Sequence, residues 1–421
     1  MVDVLVVGAG SAGSTAAIAA ARTGATTLLV DRLGFLGGTS TAVLDTFYAF
    51  YTPGAEPRKV VAGIPDEVVA GLEAEGAAFL RPNTYGAGTG ITYDPETLKR
   101  VWETLVLDAG ADVLLHSFVH GVELDGGTVA AVRLWTKGGE RVIRPRVVVD
   151  ASGDADVCHL AGAPYEAPGE GGQVQSLSTV FRMANVDTDR AEAVPKEELW
   201  ALMREASASG DYALTRLEGS VHRTPQPGVM MALMTRMRDV DATDPEQLTR
   251  AEIEGRRQCR EYFRFLCERV PGYEKAVLVS TSPAIGVRES RRILGEHVLT
   301  GDEILAATRF PDEIAQCGAP IEDHHAGSDT RWSYLPEGAA YGIPYRSLLP
   351  REVENVVVAG RCFSATHDAH ASARSMGTCM AMGQAAGTAA ALALSADVSP
   401  RELDPAALRA RLREDGADVG R

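Results

Sequence analysis

The chain has 421 residues, too many for one simple core, and its 45% hydrophobic and 23% charged residues are those of a globular protein with more than one domain. Its net charge of −16 argues against nucleic acid and anionic membrane surfaces as partners. Cys158, Cys259, Cys267, Cys317, Cys362 and Cys379 lie scattered without C-x-x-C spacing, so reduced thiols in a cytoplasm are expected rather than a disulfide framework.

The pattern enters its first strand at residue 2 with no basic leader or cleavage site, as expected of a chain without a secretory signal. Val2 to Val7 is an apolar β-branched run, followed by Gly8-Ala9-Gly10-Ser11-Ala12-Gly13, an Ala-rich segment to Arg22, and a second apolar run from Thr26 to Val30 that ends in Asp31. This reads as strand, tight turn, helix, strand. In such a turn Gly8 makes the bend, Gly10 lets backbone approach a pyrophosphate, and Gly13 packs helix on strand. The helix N-terminus, from Ser11 and Ala12, then offers its N–H groups to phosphates, and the Asp31 carboxylate can bind ribose hydroxyls. These residues alone leave open which dinucleotide is bound.

The loop Arg32-Leu33-Gly34-Phe35-Leu36-Gly37-Gly38-Thr39-Ser40-Thr41 leaves the second strand towards the far end of the ligand, where flavoproteins line the isoalloxazine ring. Gly37 and Gly38 permit close backbone approach, and Thr39, Ser40 and Thr41 offer hydroxyls. Residues 45–92 read as an irregular covering insertion with a helix from Asp66 to Glu75. Phe47, Tyr48, Phe50 and Tyr51 either face a substrate pocket or belong to the core. Asp94 caps a helix to Ala109, with Pro95 at its first position. Strands follow over Val113–Val119, Val119–Leu124, Val129–Thr136 and Val142–Val149, with hairpin turns at Gly126-Gly127 and Gly138-Gly139.

The last strand runs into Asp150-Ala151-Ser152-Gly153-Asp154-Ala155-Asp156, whose small residues suit close approach to a dinucleotide. The aspartate spacing lacks the EF-hand order and its closing Glu, so no metal is expected. Residues 165–340 alternate apolar and polar runs, with strands over Leu177–Met183 and Val229–Met234 and a charged amphipathic helix over Pro245–Val270. The block Arg288-Glu289-Ser290-Arg291-Arg292 either clamps an anion or forms an ion-paired face. His324-His325 is read as a loop. A strand over Asn355–Ala359 ends at Gly360-Arg361, and an Ala- and Gly-rich helix follows over Thr378–Leu394, whose Ala-rich run Met380–Leu394 is too short and too weakly apolar to span a bilayer and is expected to be buried.

Together these pieces resemble the FAD-dependent oxidoreductase family, related to the two-dinucleotide-fold flavoproteins fumarate reductase and glutathione reductase. The resemblance rests on Gly8–Gly13 with Asp31, Gly37-Gly38-Thr39, Asp150 to Asp154, the Arg288 to Arg292 block, Ala359 to His367, and Gly383-Gln384-Ala385-Ala386-Gly387. The family more often carries Glu where this chain has Asp31. It implies an α/β fold: a Rossmann-like, glutathione-reductase-type FAD domain with a central parallel sheet and a β-meander, plus a mixed α+β substrate domain. The expected division is 1–44, 93–164 and 341–396 for the FAD domain, 165–340 for the substrate or cap domain with 45–92 covering it, and a helical tail at 397–421.

The resemblance also implies roles. Backbone near Phe118 and Val119 would meet the adenine, and Ala151, Ser152, Gly153, Asp154, Gly360 and Arg361 would lie along the dinucleotide. The N-terminus of the last long helix, Gly377-Thr378-Cys379-Met380, would point at the flavin N1–C2=O edge. The implied reaction is hydride transfer between flavin N5 and a small organic substrate, anionic or a secondary-metabolite intermediate. His367 and His370 are the candidate acid/base groups and Arg374 the candidate clamp for a substrate carboxylate or the flavin C2 carbonyl. Arg288, Arg291 and Tyr48 are candidate substrate binders. His367, His370, Cys362 and Cys379 leave covalent attachment open. Oxygen or a nicotinamide can serve as electron partner, and a homo-oligomer stays open. The rival readings are monooxygenation through a flavin C4a-hydroperoxide and a non-catalytic flavin-binding scaffold. Gly360-Arg361 counts against the first, since aromatic hydroxylases carry a Gly-Asp pair there.

Overall fold

The apolar run Val2–Val7 is the middle strand of a five-stranded parallel sheet, in the order Val356–Val358, Pro145–Asp150, Val2–Val7, Thr27–Val30, Asp112–Leu114. The structure is a computed structural model and describes residues 2–83, 86–170, 174–324 and 330–420. Both faces of the sheet are covered, which is why Val4 to Val7 read as an unbroken apolar run rather than an alternating one.

Two expected strands are each two. The run Val113–Val119 breaks at His116, which has φ 54°, so that Asp112–Leu114 closes the parallel sheet and Phe118–Asp125 opens an antiparallel meander. Thr128–Thr136 and Gly139–Ile143 complete that meander. The run Val142–Val149 likewise divides at Arg144, after which Pro145–Asp150 returns to the parallel sheet.

The final long helix, Met376–Ala396, lies against the first one, Ser11–Arg22. A Cβ at Gly383 would sit 2.1 Å from the Ala12 carbonyl oxygen, and one at Gly387 2.1 Å from that of Ala16. The two backbones therefore touch, and only glycine at these helical positions allows it. By length and hydropathy this 21-residue helix could cross a membrane, contrary to the sequence expectation, but most of it is buried inside the fold.

A separate antiparallel sheet, in the order Ser220–Arg223, Met230–Leu233, Phe181–Ala184, Val277–Thr281, packs with the helices Lys196–Ser209 and Pro245–Arg269 around its own core of Phe181, Met183, Met203, Tyr262, Phe265 and Leu266. The cores divide the chain differently from the expected 165–340 block. Leu299, Ile304 and Ile314 join the core of the nucleotide body, because the strand Glu313–Cys317 pairs with Tyr341–Pro344, already expected there, beneath the final long helix. The 45–92 segment is also more regular than expected. It forms a small sheet from Thr46–Phe47, Gly90–Tyr93 and Ala78–Arg81, with Phe47 and Phe50 fully buried. The tail helix Pro405–Glu414 packs back through Leu408 and Leu412.

Candidate functional site

One cleft of about 740 Å³ runs from the C-terminal ends of the parallel strands into the second body. At its sheet end lie Gly8, Gly10, Ser11, Ala12, Asp31, Arg32, Gly38 and Thr39, with Ala151, Ser152, Gly153, Asp154, Gly360 and Arg361 opposite. Strand ends converge here because every strand of a parallel sheet presents its C-terminal turn on the same edge.

This end fits a dinucleotide. A Cβ at Gly8 would lie 2.4 Å from the Ala151 carbonyl oxygen, and one at Gly13 would lie 1.7 Å from that of Gly8. A Cβ at Gly10 would meet nothing within 4 Å, so the space beside this glycine is open cleft. The helix beginning at Ser11 has no side-chain cap, which leaves its first N–H groups for an anion. Gly37 stands behind: its N–H donates to the Ala9 carbonyl at 2.7 Å, tying the second glycine pair to the first turn.

Asp31 sits at the end of its strand on the cleft, with its carboxylate turned back on the loop. Oδ2 accepts from Ala9 N–H at 2.5 Å and Oδ1 from Leu33 N–H at 2.7 Å, which leaves each oxygen further acceptor capacity. Burial pushes its pKa up against these bonds. Arg361 is held over Gly153: its guanidinium donates to Asp154 Oδ1 at 2.7 Å and to Ser290 Oγ at 2.6 Å. Asp150 is structural, its oxygens accepting from Ser152 and from Cys158 N–H.

Several expected contacts fall elsewhere. Ser40 Oγ donates to the Gly37 carbonyl at 2.8 Å and Thr41 Oγ1 to that of Leu36 at 2.6 Å, so their hydroxyls close the loop rather than face the cleft. Phe118 and Val119 do not line the cleft: Phe118 is exposed, Val119 is buried in the meander core, and the residues just before this strand tie it to the site, Ser117 N–H donating to the Asp31 carbonyl at 2.8 Å and His116 N–H to that of Leu33 at 3.3 Å. The last long helix starts at Met376, two residues earlier than expected. Its Gly377 N–H is taken by the Tyr48 carbonyl at 3.0 Å, and Thr378 and Met380 are buried in the fold, so of the expected set only Cys379 lines the cleft, joined by Ser375 and Met376.

The opposite wall is basic. Arg288 donates through Nη1 to the Ser176 carbonyl at 2.6 Å and to Ser178 Oγ at 2.9 Å. Arg374 donates through Nη2 to the Glu322 carbonyl at 3.4 Å. Arg81 donates to Tyr48 Oη at 2.8 Å and is braced by Thr46 and Thr92. Arg216, Glu322 and His324 complete this wall. His324, expected only in a loop, is neutral: burial first, then the charge of Arg288, take its pKa down to about 3. Its Nε2 donates to Glu322 Oε1 at 2.9 Å, and its Nδ1 accepts from Arg236 and Thr330. His325 lies outside the described residues. Burial opposes ionisation of Glu322, but His324, Arg374 and Arg288 outweigh it and bring its pKa to about 2. No local motif marked Arg81, Arg216 or Glu322, because they reach the wall from three distant segments.

Three candidates are corrected. His370 is fully buried, its Nε2–H donating to the Arg361 carbonyl at 2.7 Å, and burial holds it well below the usual histidine range. His367 points away from the cleft into Glu289, 3.0 Å from Nδ1, and Asp323, 3.4 Å from Nε2. Arg291 serves the fold, donating to the Asp154 carbonyl and Asp156 and lying over the Tyr165 ring. Of the four residues that left covalent attachment open, only Cys379 lines the cleft.

A family model described as FAD dependent oxidoreductase matches residues 3–412. The digeranylgeranylglycerophospholipid reductase of Thermoplasma volcanium is 26% identical over 199 residues, 44% of this chain and 48% of that protein. A second such reductase, from Methanopyrus kandleri, is 30% identical over 155 residues, 36% and 37% of the two chains. The chain thus spans about half the length of the curated relatives it matches, or less. In fold it is similar to a geranylgeranyl bacteriochlorophyll reductase-like protein from Thermoplasma acidophilum, with TM-score 0.51, 16% identity, and 99% and 84% of the chains covered. It is also similar to the anhydrotetracycline hydroxylase of Streptomyces rimosus, with TM-score 0.50, 13% identity, and 98% and 66% covered. A family match from residue 3 to residue 412 takes in the glycine turns, the basic wall and the last long helix alike, so the chain belongs to the FAD-dependent oxidoreductase family and is a flavoenzyme with FAD as its cofactor.

Proposed function

We propose that this flavoenzyme moves a hydride between FAD and an organic substrate bound against the second body. One observation carries the reading: a single cleft of about 740 Å³ is continuous from Gly10 to Arg288 and Met230, so cofactor and substrate share one compartment. FAD supplies the two-electron chemistry when bound. The five-stranded parallel sheet with its antiparallel meander supports reading the nucleotide body as the glutathione-reductase type.

The chain's own groups hold the substrate and manage one proton. Tyr48 is the described cleft residue placed to do so. Its Oη accepts from Arg81 at 2.8 Å, which leaves its own hydrogen to point elsewhere, and burial pushes its pKa up, so the phenol keeps its proton. Glu322 stays ionised and His324 neutral across the physiological range, so neither exchanges that proton.

The test is an absorption spectrum of the purified protein before and after acid precipitation, followed by an anaerobic screen for compounds that bleach or restore the flavin bands. The expected result is flavin released into the supernatant and bleaching by a substrate that binds in the cleft. Oxygen uptake coupled to a hydroxylated product would replace hydride transfer with monooxygenation. A loaded protein whose bands no compound changes would favour a scaffold.

A further inference from the structure

We infer that Arg288 and Arg374 form a built subsite for a carboxylate carried by the substrate, an inference that rests on the shared cleft proposed above. Both residues line the cleft, and among the described residues both guanidinium groups are bonded only to neutral oxygens: Arg288 to the Ser176 carbonyl and Ser178 Oγ, Arg374 to the Glu322 carbonyl. Neither has an ion-pair partner within 4.0 Å among the described residues. The Arg374 Nε is buried and has no hydrogen-bond partner among the described residues.

Charge bookkeeping explains why this is unusual. A buried cation that lacks a counter-charge is costly, and folds normally pair it. Here burial, then the charges of Arg374 and Arg216, hold the Arg288 pKa well below the usual arginine range. Two carboxylates act on these cations, and both are engaged elsewhere: Glu322 spends an oxygen on His324 Nε2 at 2.9 Å, and Glu289, which acts on Arg374, is taken by His367 and Arg292 at 3.0 and 3.1 Å. An arriving carboxylate would supply the missing negative charge, and its two oxygens match the planar fork of a guanidinium. Val43, Leu44, Ile285 and Val287 line the same cleft, so the remainder of the acid is apolar or aromatic.

The test titrates the FAD-loaded enzyme with benzoate, with its neutral analogue benzamide, and with inorganic phosphate, reading calorimetry and the flavin difference spectrum. Benzoate is expected to bind saturably and at least about tenfold more tightly than benzamide, as charge-assisted hydrogen bonds require. Arg288→Met and Arg374→Met should each weaken benzoate about tenfold while leaving benzamide unchanged. Benzoate binding no tighter than benzamide in the unmodified enzyme would overturn the subsite, whether or not the variants fold. Phosphate binding more tightly than benzoate would overturn the carboxylate assignment. The two readings fail separately. Arginine-dependent benzoate binding in an enzyme whose flavin no substrate reduces sinks hydride transfer and keeps the subsite. Flavin reduction by neutral substrates, with no preference for benzoate, does the reverse.

Discussion

Gly383 meets Ala12 backbone to backbone: a Cβ added to the glycine would stand 2.1 Å from the alanine's carbonyl oxygen and 2.9 Å from its Cα. Ala12 is in the first turn of the helix whose N-terminus faces the cleft, so this contact fixes that N-terminus in position. Gly383→Val must push the two helices apart. Overpacking of this kind costs about 1–3 kcal/mol. The variant should melt several degrees lower and lose FAD on dilution, both read by flavin fluorescence during a thermal ramp. Full retention of FAD would mean that the helix N-terminus does not hold the cofactor.

Arg361 and Asp154 are the second brace of the same end. The pair is mostly buried, at 2.7 Å, and burial alone would raise the Asp154 pKa, yet Arg361 and Ser290 keep the carboxyl lowered. Arg361→Met leaves that carboxylate without its cation and should cost about 2 kcal/mol, the scale of a charged hydrogen bond. Asp154→Asn in the same background should recover part of the loss, because the stranded charge is gone. Urea denaturation of both single variants and the double variant measures this coupling. Strict additivity would show that the pair contributes nothing.

The nucleotide end was legible in the sequence because its chemistry is local. Gly8, Gly10 and Gly13 act through backbone spacing within one turn, and Asp31 closes the next strand, so the spacing carries the geometry. Ser40 and Thr41 misled because a hydroxyl beside a glycine turn serves the loop as readily as a ligand, and the residue type does not tell which. His367 and His370 misled for a related reason. Their segment does reach the cleft, through Arg374 and Ser375, but His370 is turned into the fold and the half-buried His367 is set against Glu289 and Asp323, outside the cleft lining. The basic wall was illegible for another cause: Arg81 ends the strand Ala78–Arg81, Arg216 comes from the second body, Glu322 lies in the strand Ile321–Asp323 and Arg374 follows the helix His367–Ala373, so only the folded chain brings them to one cleft.

His367 nonetheless has a consequence for stability. Burial opposes its charge, but the hydrogen bonds to Asp323 and Glu289 outweigh burial and raise its pKa from 6.5 to about 9. The folded state therefore binds this proton more tightly than the unfolded chain does. The resulting stabilisation is complete below pH 6.5 and is lost as pH rises through about 9. Glu289 works at the other end: burial opposes its charge too, but His367 helps take its pKa from 4.5 to about 2, so its contribution is lost as pH falls through that range. Unfolding free energy should decline from about pH 7 to pH 9, and His367→Gln should flatten that decline. An unchanged slope in the variant would assign the alkaline loss to other groups.

Glu322 shows how the wall balances its charge. Its carboxylate forms no ion pair with Arg288 or Arg374 within 4.0 Å among the described residues, yet their charges and His324 bring its pKa to about 2 despite burial. Glu322→Gln keeps the shape and retains an acceptor oxygen for His324 Nε2, now 2.9 Å from Oε1, while removing the negative charge. Two effects follow with opposite signs. The protein should lose about 1–3 kcal/mol of stability, because the guanidinium groups are left with less compensation. An anion in the cleft should bind several-fold more tightly, because its in-built competitor is gone. Thermal melts with and without benzoate measure both at once: the free variant melts lower than the unmodified enzyme, and saturating benzoate raises its midpoint by more. If benzoate stabilises the two proteins equally, Glu322 does not compete for the arginines, and the charge on this wall is balanced from elsewhere.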